Sequence, residues 1–338
     1  MKGRALPDAR PVSVLIVSWN GLEYLEACLQ HLRAQTHPVE QVVVVDNGSG
    51  DGSIEFLEAQ PDVELLRNTE NLGYAAATNQ GYARCTGAYI LLLNTDVELE
   101  PGYIENALAH FDDPAVGSVT GKLLRATPAN TLDSTGHNVF AIGWAENRGE
   151  ELPDLGFDEP HEVFGVCAAA AIYRREALED ARFKGQLLDE TYFSYIEDVD
   201  LDWRLRWQGW HAWYEPAAVA LHHRSATGAR YSAPIMRHIL KNRLLTVAKN
   251  YDAATLTRNL PGVLAFTAVK TVDFAREDPR AALGLADFAR LLPHVVAYRR
   301  WLKPRRRTQP GQVSGWLKPF PWRGRLWRRV TRGNKPPA

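Results

Sequence analysis

The chain has 338 residues, with 39 Lys+Arg against 40 Asp+Glu, a formal net charge of -1 and 45% hydrophobic residues. At roughly 150 residues per domain, that length permits one large or two modest domains around a continuous core. A near-neutral total argues against a polyanion partner only if charge is evenly spread, and the three cysteines, Cys28, Cys85 and Cys167, are too far apart for a zinc framework or redox dithiol, which suits a reducing cytosol.

The N-terminal arm, residues 1–11, is charged and proline-broken and lacks the apolar run of a signal peptide. VSVLIVS from Val12 predicts a strand, Leu22, Leu25, Leu29 and Leu32 a helix, and QVVVVD a second strand. The alternation continues through VELLR at 63–67, a small-residue helix near Tyr74 to Arg84, and AYILLLNTD at 88–96. Apolar runs with little polar alternation mark strands buried on both faces, hence an α/β fold with a mostly parallel sheet flanked by helices.

Residues 115–190 read as mixed strand and loop, with EVFGVCAAAAIYRRE the clearest apolar stretch. An amphipathic helix is expected at about 195–208, then an apolar run, Ala217 to Leu221, ending in His222 and His223. Residues 231–300 carry the periods of two or three helices. Within them, Leu260 to Ala275 contains Lys270 and Asp273 and falls short of the roughly 18 to 20 apolar residues that cross a membrane. The expected divisions are an arm (1–11), an α/β domain (12–230), a helical segment (231–300) and a basic Trp/Arg-rich tail (301–338).

Ligands of an open α/β sheet collect beyond the carboxyl ends of its strands. The first strand ends in Ser18-Trp19-Asn20-Gly21 and the second in Asp46-Asn47-Gly48-Ser49-Gly50-Asp51-Gly52-Ser53. Asp46 suits the N3–H of a uracil or thymine ring; an Asx turn with a helix cap at Asp51 or Ser53 explains the same composition without a ligand. The fourth strand delivers Asn94-Thr95-Asp96 to this edge, and Asp96 is either a hard oxygen ligand for a divalent cation or a cap for a helix at about 102–111.

VSVLIVSWN, VVVVDNGSGDGS, NTENLGYAAATNQG and LLLNTD, in this order and spacing, resemble the nucleotide-binding half of glycosyltransferase family 2, which has the GT-A (Rossmann-like) fold. YFSYIEDVDLDWRLRWQGW and AVALHHRSATG resemble its acceptor half, most closely in the bacterial rhamnosyltransferase-like branch, and the likeness spans about 12–230. The resemblance implies that Ser18, Asn20, Asp46 and Asn71 line a nucleotide-sugar pocket, with Asn47, Ser49, Gly73, Asn79, Asn94 and Thr95 around them, and that Asp96 holds Mg2+ or Mn2+. Many members carry Asp-X-Asp where this chain has Asn94-Thr95-Asp96, one carboxylate fewer for the metal.

In the helix near 195–208, Ser194 and Glu197 have capping-box spacing, and Asp200 with Arg204 and Asp202 with Arg206 stand at i,i+4 as surface pairs worth about 0.2–0.5 kcal/mol each. Asp198 has no such cation; its plain structural role is an acid in the first helical turn. The resemblance places the catalytic base in the Glu197–Asp198 pair, at Asp198, and implies inversion at the anomeric carbon. It also favours His222 as a second metal or diphosphate contact, with His223 the fallback; a hydrogen-bonded core histidine is the alternative. Neighbours on a strand face opposite ways, so at most one of them meets the site. Ser225, Thr227 and Gly228 form a polar loop suited to phosphate. Gly165 to Ala171, including Ala168, looks like the floor under the donor sugar, with tight sheet–helix packing the alternative, and Trp203 and Arg204 are placed at the sugar pocket.

From Tyr298 to Ala338 there are thirteen Lys/Arg and no Asp or Glu, with Trp301, Trp316, Trp322 and Trp327, and Trp-Leu-Lys-Pro occurs at 301–304 and 316–319. The neutral total is therefore 26 cations against 40 acids in residues 1–297 (-14) beside a tail of +13. That composition suits an anionic membrane surface; a solvated tail and single-stranded nucleic acid are the alternatives. The expectation is an inverting, metal-dependent glycosyltransferase, cytoplasmic and peripheral on the inner face of the membrane, with no nucleic acid partner. It would move L-rhamnose from dTDP-rhamnose to a polyprenyl-linked saccharide in cell-surface polysaccharide synthesis. A UDP-sugar donor or a non-catalytic nucleotide-sugar-binding scaffold are the alternatives, while the lack of G-x-G-x-x-G after the first strand disfavours a nicotinamide enzyme.

Overall fold

The computed structural model describes residues 10–224 and 232–321. The first half alternates as expected: β1 (Val12–Ser18), α1 (Leu22–Arg33), β2 (Gln41–Asn47), α2 (Ser53–Glu58), β3 (Val63–Asn68), α3 (Tyr74–Tyr82) and β4 (Tyr89–Asn94). These strands run parallel in the order β4-β1-β2-β3. Both faces are buried: Val14 and Ile16 join Leu25 and Leu29 of α1 on one side, and Leu15 joins Ala75 and Ala77 of α3 on the other. The small residues of α3 let it press onto the sheet, since a Cβ at Gly81 would lie 2.1 Å from Leu15.

The chain continues through β5 (Val97–Leu99), α4 (Tyr103–Leu108), β6 (Val116–Arg125), β7 (Leu132–Ser134), β8 (His137–Phe140), β9 (Trp144–Asn147), β10 (His161–Val163), β11 (Ala170–Arg174), α5 (Arg175–Ala181), α6 (Glu197–Trp207) and β12 (His211–His222). The sheet order becomes β10-β12-β6-β11-β4-β1-β2-β3, with β11 antiparallel to β4 and β6. The expected run at Ala217 to Leu221 is only the end of β12. A register shift against β6 between Glu215 and Val219 brackets Pro216, which suits a proline that cannot donate to a ladder.

The C-terminal part holds α7 (Ala233–Asn250), α8 (Ala253–Glu277), α9 (Leu283–Arg290), α10 (Leu292–Leu302), α11 (Pro310–Ser314) and β13 (Leu317–Lys318). Among the described residues of this segment there are thus four α-helices rather than two or three helices. Among the described residues, none is long and apolar enough to cross a membrane. The basic segment does not begin as a separate tail at 301. Trp301 packs on Phe183 and Tyr298, the Arg206 guanidinium lies over the Trp316 ring at 4.6 Å, and β13 pairs with β8. Both tryptophans of the repeated tetrapeptide are therefore packed against the fold, because facing aromatic surface was available to cover them; Trp322 and Trp327 lie outside the described residues.

Candidate functional site

Parallel register brings the strand ends together, with Ser18 opposite Asp46 and Val17 opposite Asn94. Asp46 is buried; its Oδ1 accepts from the Gly48 and Ser49 amides at 3.1 and 2.9 Å, while Oδ2 has no partner. One carboxylate thus closes the Asx turn and keeps an acceptor free. Leaving such an oxygen buried costs about 1–3 kcal/mol, which a ligand N–H would recover. The buried Ser18 Oγ is likewise unpaired. Asn20 ties the first two strand-end loops, its Oδ1 accepting from Gly50 and its amide donating to Ser49 Oγ. Asn47 turns inward, donating to Asn71 Oδ1 and the Gly73 carbonyl and accepting from the Leu72 amide. Gly73, at φ +87°, meets Phe193 so closely that a Cβ would sit 2.5 Å from its ring.

Asp96 and His222 converge from β5's approach and the end of β12. His222 Nε2 lies 3.3 Å from Asp96 Oδ1, and its Nδ1 lies 2.7 Å from the buried Asp133. Burial opposes charge on this ring, but hydrogen bonds to Asp133 and Asp96 outweigh it and push the imidazole up to about 10. His223 faces the other way, onto Glu98 and the Tyr24 ring. The proton on Nε2 has to leave before the ring can bind a cation; the neutral imidazole, its far nitrogen held by a second carboxylate, and the Asp96 carboxylate then suit a divalent cation that also takes phosphate oxygens. Thr95 stands beside them, its Oγ1 next to Gly21.

A cleft of about 630 Å³ joins this edge to the N-terminus of α6, lined by Trp19, Asn71, Asn94 and His222 on one side and by Asp198, Ala168 and β9 on the other. Asp198 and Glu197 both line it, but their surroundings differ. Glu197 is buried with its Oε2 unpaired, and burial together with the Asp198 charge pushes its carboxyl up to about 8. Both causes favour the protonated form of Glu197. The Asp198 carboxylate lies 3.5 Å from the Ala168 amide and 3.5 Å from His137 Nε2, and His137 Nδ1 is 2.7 Å from Asp202. His137, held between these acids, is raised well above the usual imidazole range despite burial, while burial lifts Asp202 to about 6. Cys167 completes a group whose ligand atoms lie within 4.8 Å of one another with His137 and Asp198.

Several expected roles change. The Asp200–Arg204 and Asp202–Arg206 pairs are not on the surface. Asp200 and Arg204 are fully buried, and Lys249 of α7 bridges Asp200 and Asp189 at 2.8 and 2.7 Å. Asp202 serves His137, and Arg206 instead meets Glu162 at 2.5 Å. Ser194 and Glu197 form no capping box: Ser194 Oγ accepts from the Tyr74 amide, and α6 starts after Ile196 at φ +71°. Arg204 donates to the Ala181 carbonyl and Trp203 packs on Phe164 and Tyr251, so neither lines the cleft. Gly165 is a packing contact, since a Cβ there would lie 1.9 Å from the Asp202 carboxylate. Asn79 clamps Leu187, Leu188 and Glu190 rather than facing the cleft. Ser225, Thr227 and Gly228 fall outside the described residues.

Sequence reasoning missed His137 and Asp133, which lie 61 and 89 residues from the groups they serve, Asp198 and His222, and Asn242. The Asn242 amide lies within 2.7 to 3.0 Å of the Tyr192, Ser194 and Tyr195 carbonyls. It braces a loop in which Phe193, Tyr195 and Ile196 all have positive φ, a strain of about 1–3 kcal/mol per residue. That loop forms one wall of the cleft.

The family Glycosyl transferase family 2 matches residues 13–182. An N-acetylglucosaminyl-diphospho-decaprenol L-rhamnosyltransferase of Mycobacterium tuberculosis is 30% identical over 77% of this chain and 92% of its own length. A pre-mycofactocin glycosyltransferase of the same species is 35% identical over 64% of this chain, which spans only 43% of that relative. Among solved structures, the mannosyltransferase PcManGT from Pyrobaculum calidifontis, in complex with GDP-Man and Mn2+, has the same fold. It is 20% identical with a TM-score of 0.52, covering 96% of this chain and 89% of its own.

Proposed function

The chain belongs to glycosyltransferase family 2, and from that premise we propose that it transfers a sugar from a nucleotide diphosphate with inversion. Asp198 takes the proton of the acceptor hydroxyl as that oxygen bonds to the anomeric carbon; the bond from that carbon to the diphosphate breaks on the opposite face. Glu197, protonated at neutral pH, leaves the base role to its neighbour, the separation of two adjacent carboxyls by environment that acid–base sites use. His137, held by Asp202, orients the Asp198 carboxylate. Asp46 Oδ2 accepts the N3–H of a pyrimidine. Asp96 and His222 would hold Mg2+ or Mn2+, and the bound ion supplies positive charge against the leaving diphosphate. The observation that carries this reading is the single cleft reaching from Asn94 and His222 to Asp198.

The donor we propose is dTDP-L-rhamnose and the acceptor a polyprenyl-linked saccharide of a cell-surface polysaccharide, supported by the likeness to the 30%-identical N-acetylglucosaminyl-diphospho-decaprenol L-rhamnosyltransferase. The enzyme would then work peripherally at the cytoplasmic face of the membrane, aided by residues 322–338, which carry six Lys/Arg and no Asp or Glu. Incubation with dTDP-rhamnose and UDP-sugars in the presence of Mg2+ or Mn2+ tests it. Turnover with dTDP-rhamnose, lost in Asp198→Asn with donor binding kept, supports the reading; turnover only with UDP-sugars overturns the donor, and a fully active Asp198→Asn overturns the base.

A further inference from the structure

We propose that the outward face of α8 docks this protein on an anionic lipid bilayer, an inference that rests on the lipid-linked acceptor above. α8 buries Thr255, Val263 and Phe266 against the fold. Its opposite side presents Leu260, Leu264, Val269 and Val272 at 41, 57, 46 and 51% exposure, with Pro261, Ala265 and Ala268 exposed among them. Positions 260, 264, 268 and 272, and 261, 265 and 269, are two adjoining rows at i,i+4, so they form one stripe roughly 18 Å long. Between Arg258 and Asp273 the sequence has one charge, Lys270, and its ammonium lies 5.3 to 5.9 Å from the Trp144, Phe274 and Phe266 rings rather than on the stripe.

Single exposed aliphatic residues are ordinary, but an uncharged stripe over three turns marks an interaction surface. Eight of the thirteen exposed large hydrophobics among the described residues fall between Leu260 and Val296. The charge of the neighbouring chain selects the occupant. Phe320 packs on Phe266 of this helix at 5.1 Å, so the described chain ends against α8, and the sequence that follows holds six Lys/Arg, two Trp and no acid. An apolar stripe for the acyl boundary, in a chain whose sequence after Pro321 supplies cations for anionic headgroups, suits an interfacial contact, and like charges disfavour an interface between two copies. The same helix backs the cleft: Trp144, at the start of β9, packs on Phe266 at 5.4 Å, and Ala145 to Asn147 line the cleft. A bilayer on α8 would lie beside the wall that a lipid-linked acceptor must approach.

The test is sedimentation of the full chain with phosphatidylcholine vesicles, with and without phosphatidylglycerol, comparing wild type, Leu264→Glu/Val269→Glu, the milder Leu264→Ser/Val272→Ser and a chain ending at Pro321, all checked for unchanged thermal unfolding. Wild type should bind the anionic vesicles. Either α8 variant should bind about tenfold or more weakly, because aliphatic burial is lost, and the truncated chain should lose the anionic preference. Equal binding by wild type and the α8 variants, no binding by wild type, or a wild-type dimer that the α8 variants convert to monomer without vesicle binding would each overturn the proposal. Vesicle binding is read without substrate, so its failure is distinct from any failure of glycosyl transfer.

Discussion

Replacing Glu197 by Gln separates the two carboxyls at the head of α6. Glu197 has an ordinary value of 4.5 and is pushed up to about 8 by burial and by the charge of Asp198. Between those values the folded protein holds a proton that the unfolded chain has released, so the stability this group contributes falls as pH rises, at about 1.4 kcal/mol per unit. From pH 5 to pH 9 the wild type should lose on the order of 4 kcal/mol through this carboxyl, and Glu197→Gln, which mimics the neutral form, should not. For a domain of this size that is a gap of about 5 °C in Tm, opening in favour of the variant as pH rises. Thermal unfolding of both proteins at pH 5, 7 and 9 measures it, with turnover assayed alongside at pH 7. The variant should keep activity within about tenfold, whereas Asp198→Asn should lose about 10²–10⁴-fold. A Tm difference independent of pH, or loss of turnover in Glu197→Gln equal to that in Asp198→Asn, would refute the assignment of the proton to Glu197.

His137→Gln should lower kcat about 10- to 100-fold with little change in KM for the donor, because the Asp198 carboxylate loses its orienting imidazole; unchanged kcat contradicts that role. Lys249→Met should destabilise the fold by about 3–5 kcal/mol in urea unfolding, since Asp189 and Asp200 are left buried without their shared cation. Trp316→Ala should cost about 1–3 kcal/mol by removing the half-buried ring between Arg206 and Phe164; no measurable loss would mean that the basic segment is not packed on the fold.

The half of the site that follows one strand after another was legible, because period-2 and period-3.6 patterns place Asp46 and Asp96 at strand ends without any knowledge of distant partners. The turn and ligand readings of Asp46 were not exclusive, since its two oxygens do different things. What could not be read are groups brought together across the chain. The Asp200–Arg204 spacing says surface pair on an isolated helix, but α7 packs over that face with Lys249 and makes it a buried network. The histidine 3.5 Å from the Asp198 carboxylate lies on β8, and the strained loop is braced by an amide on α7; neither relation has a local signature. Composition likewise marked residues 301–338 as one tail, while Trp301 and Trp316 find aromatic partners in sequence-distant elements.

The most direct test is mass spectrometry and NMR of the product formed from a panel of nucleotide sugars and a lipid-linked acceptor extract. Transfer of a deoxyhexose from dTDP-L-rhamnose, with the anomeric configuration inverted and abolished in Asp198→Asn, is the predicted result. A product of retained configuration, or no transfer from any nucleotide sugar by the metal-supplemented wild type, would contradict it.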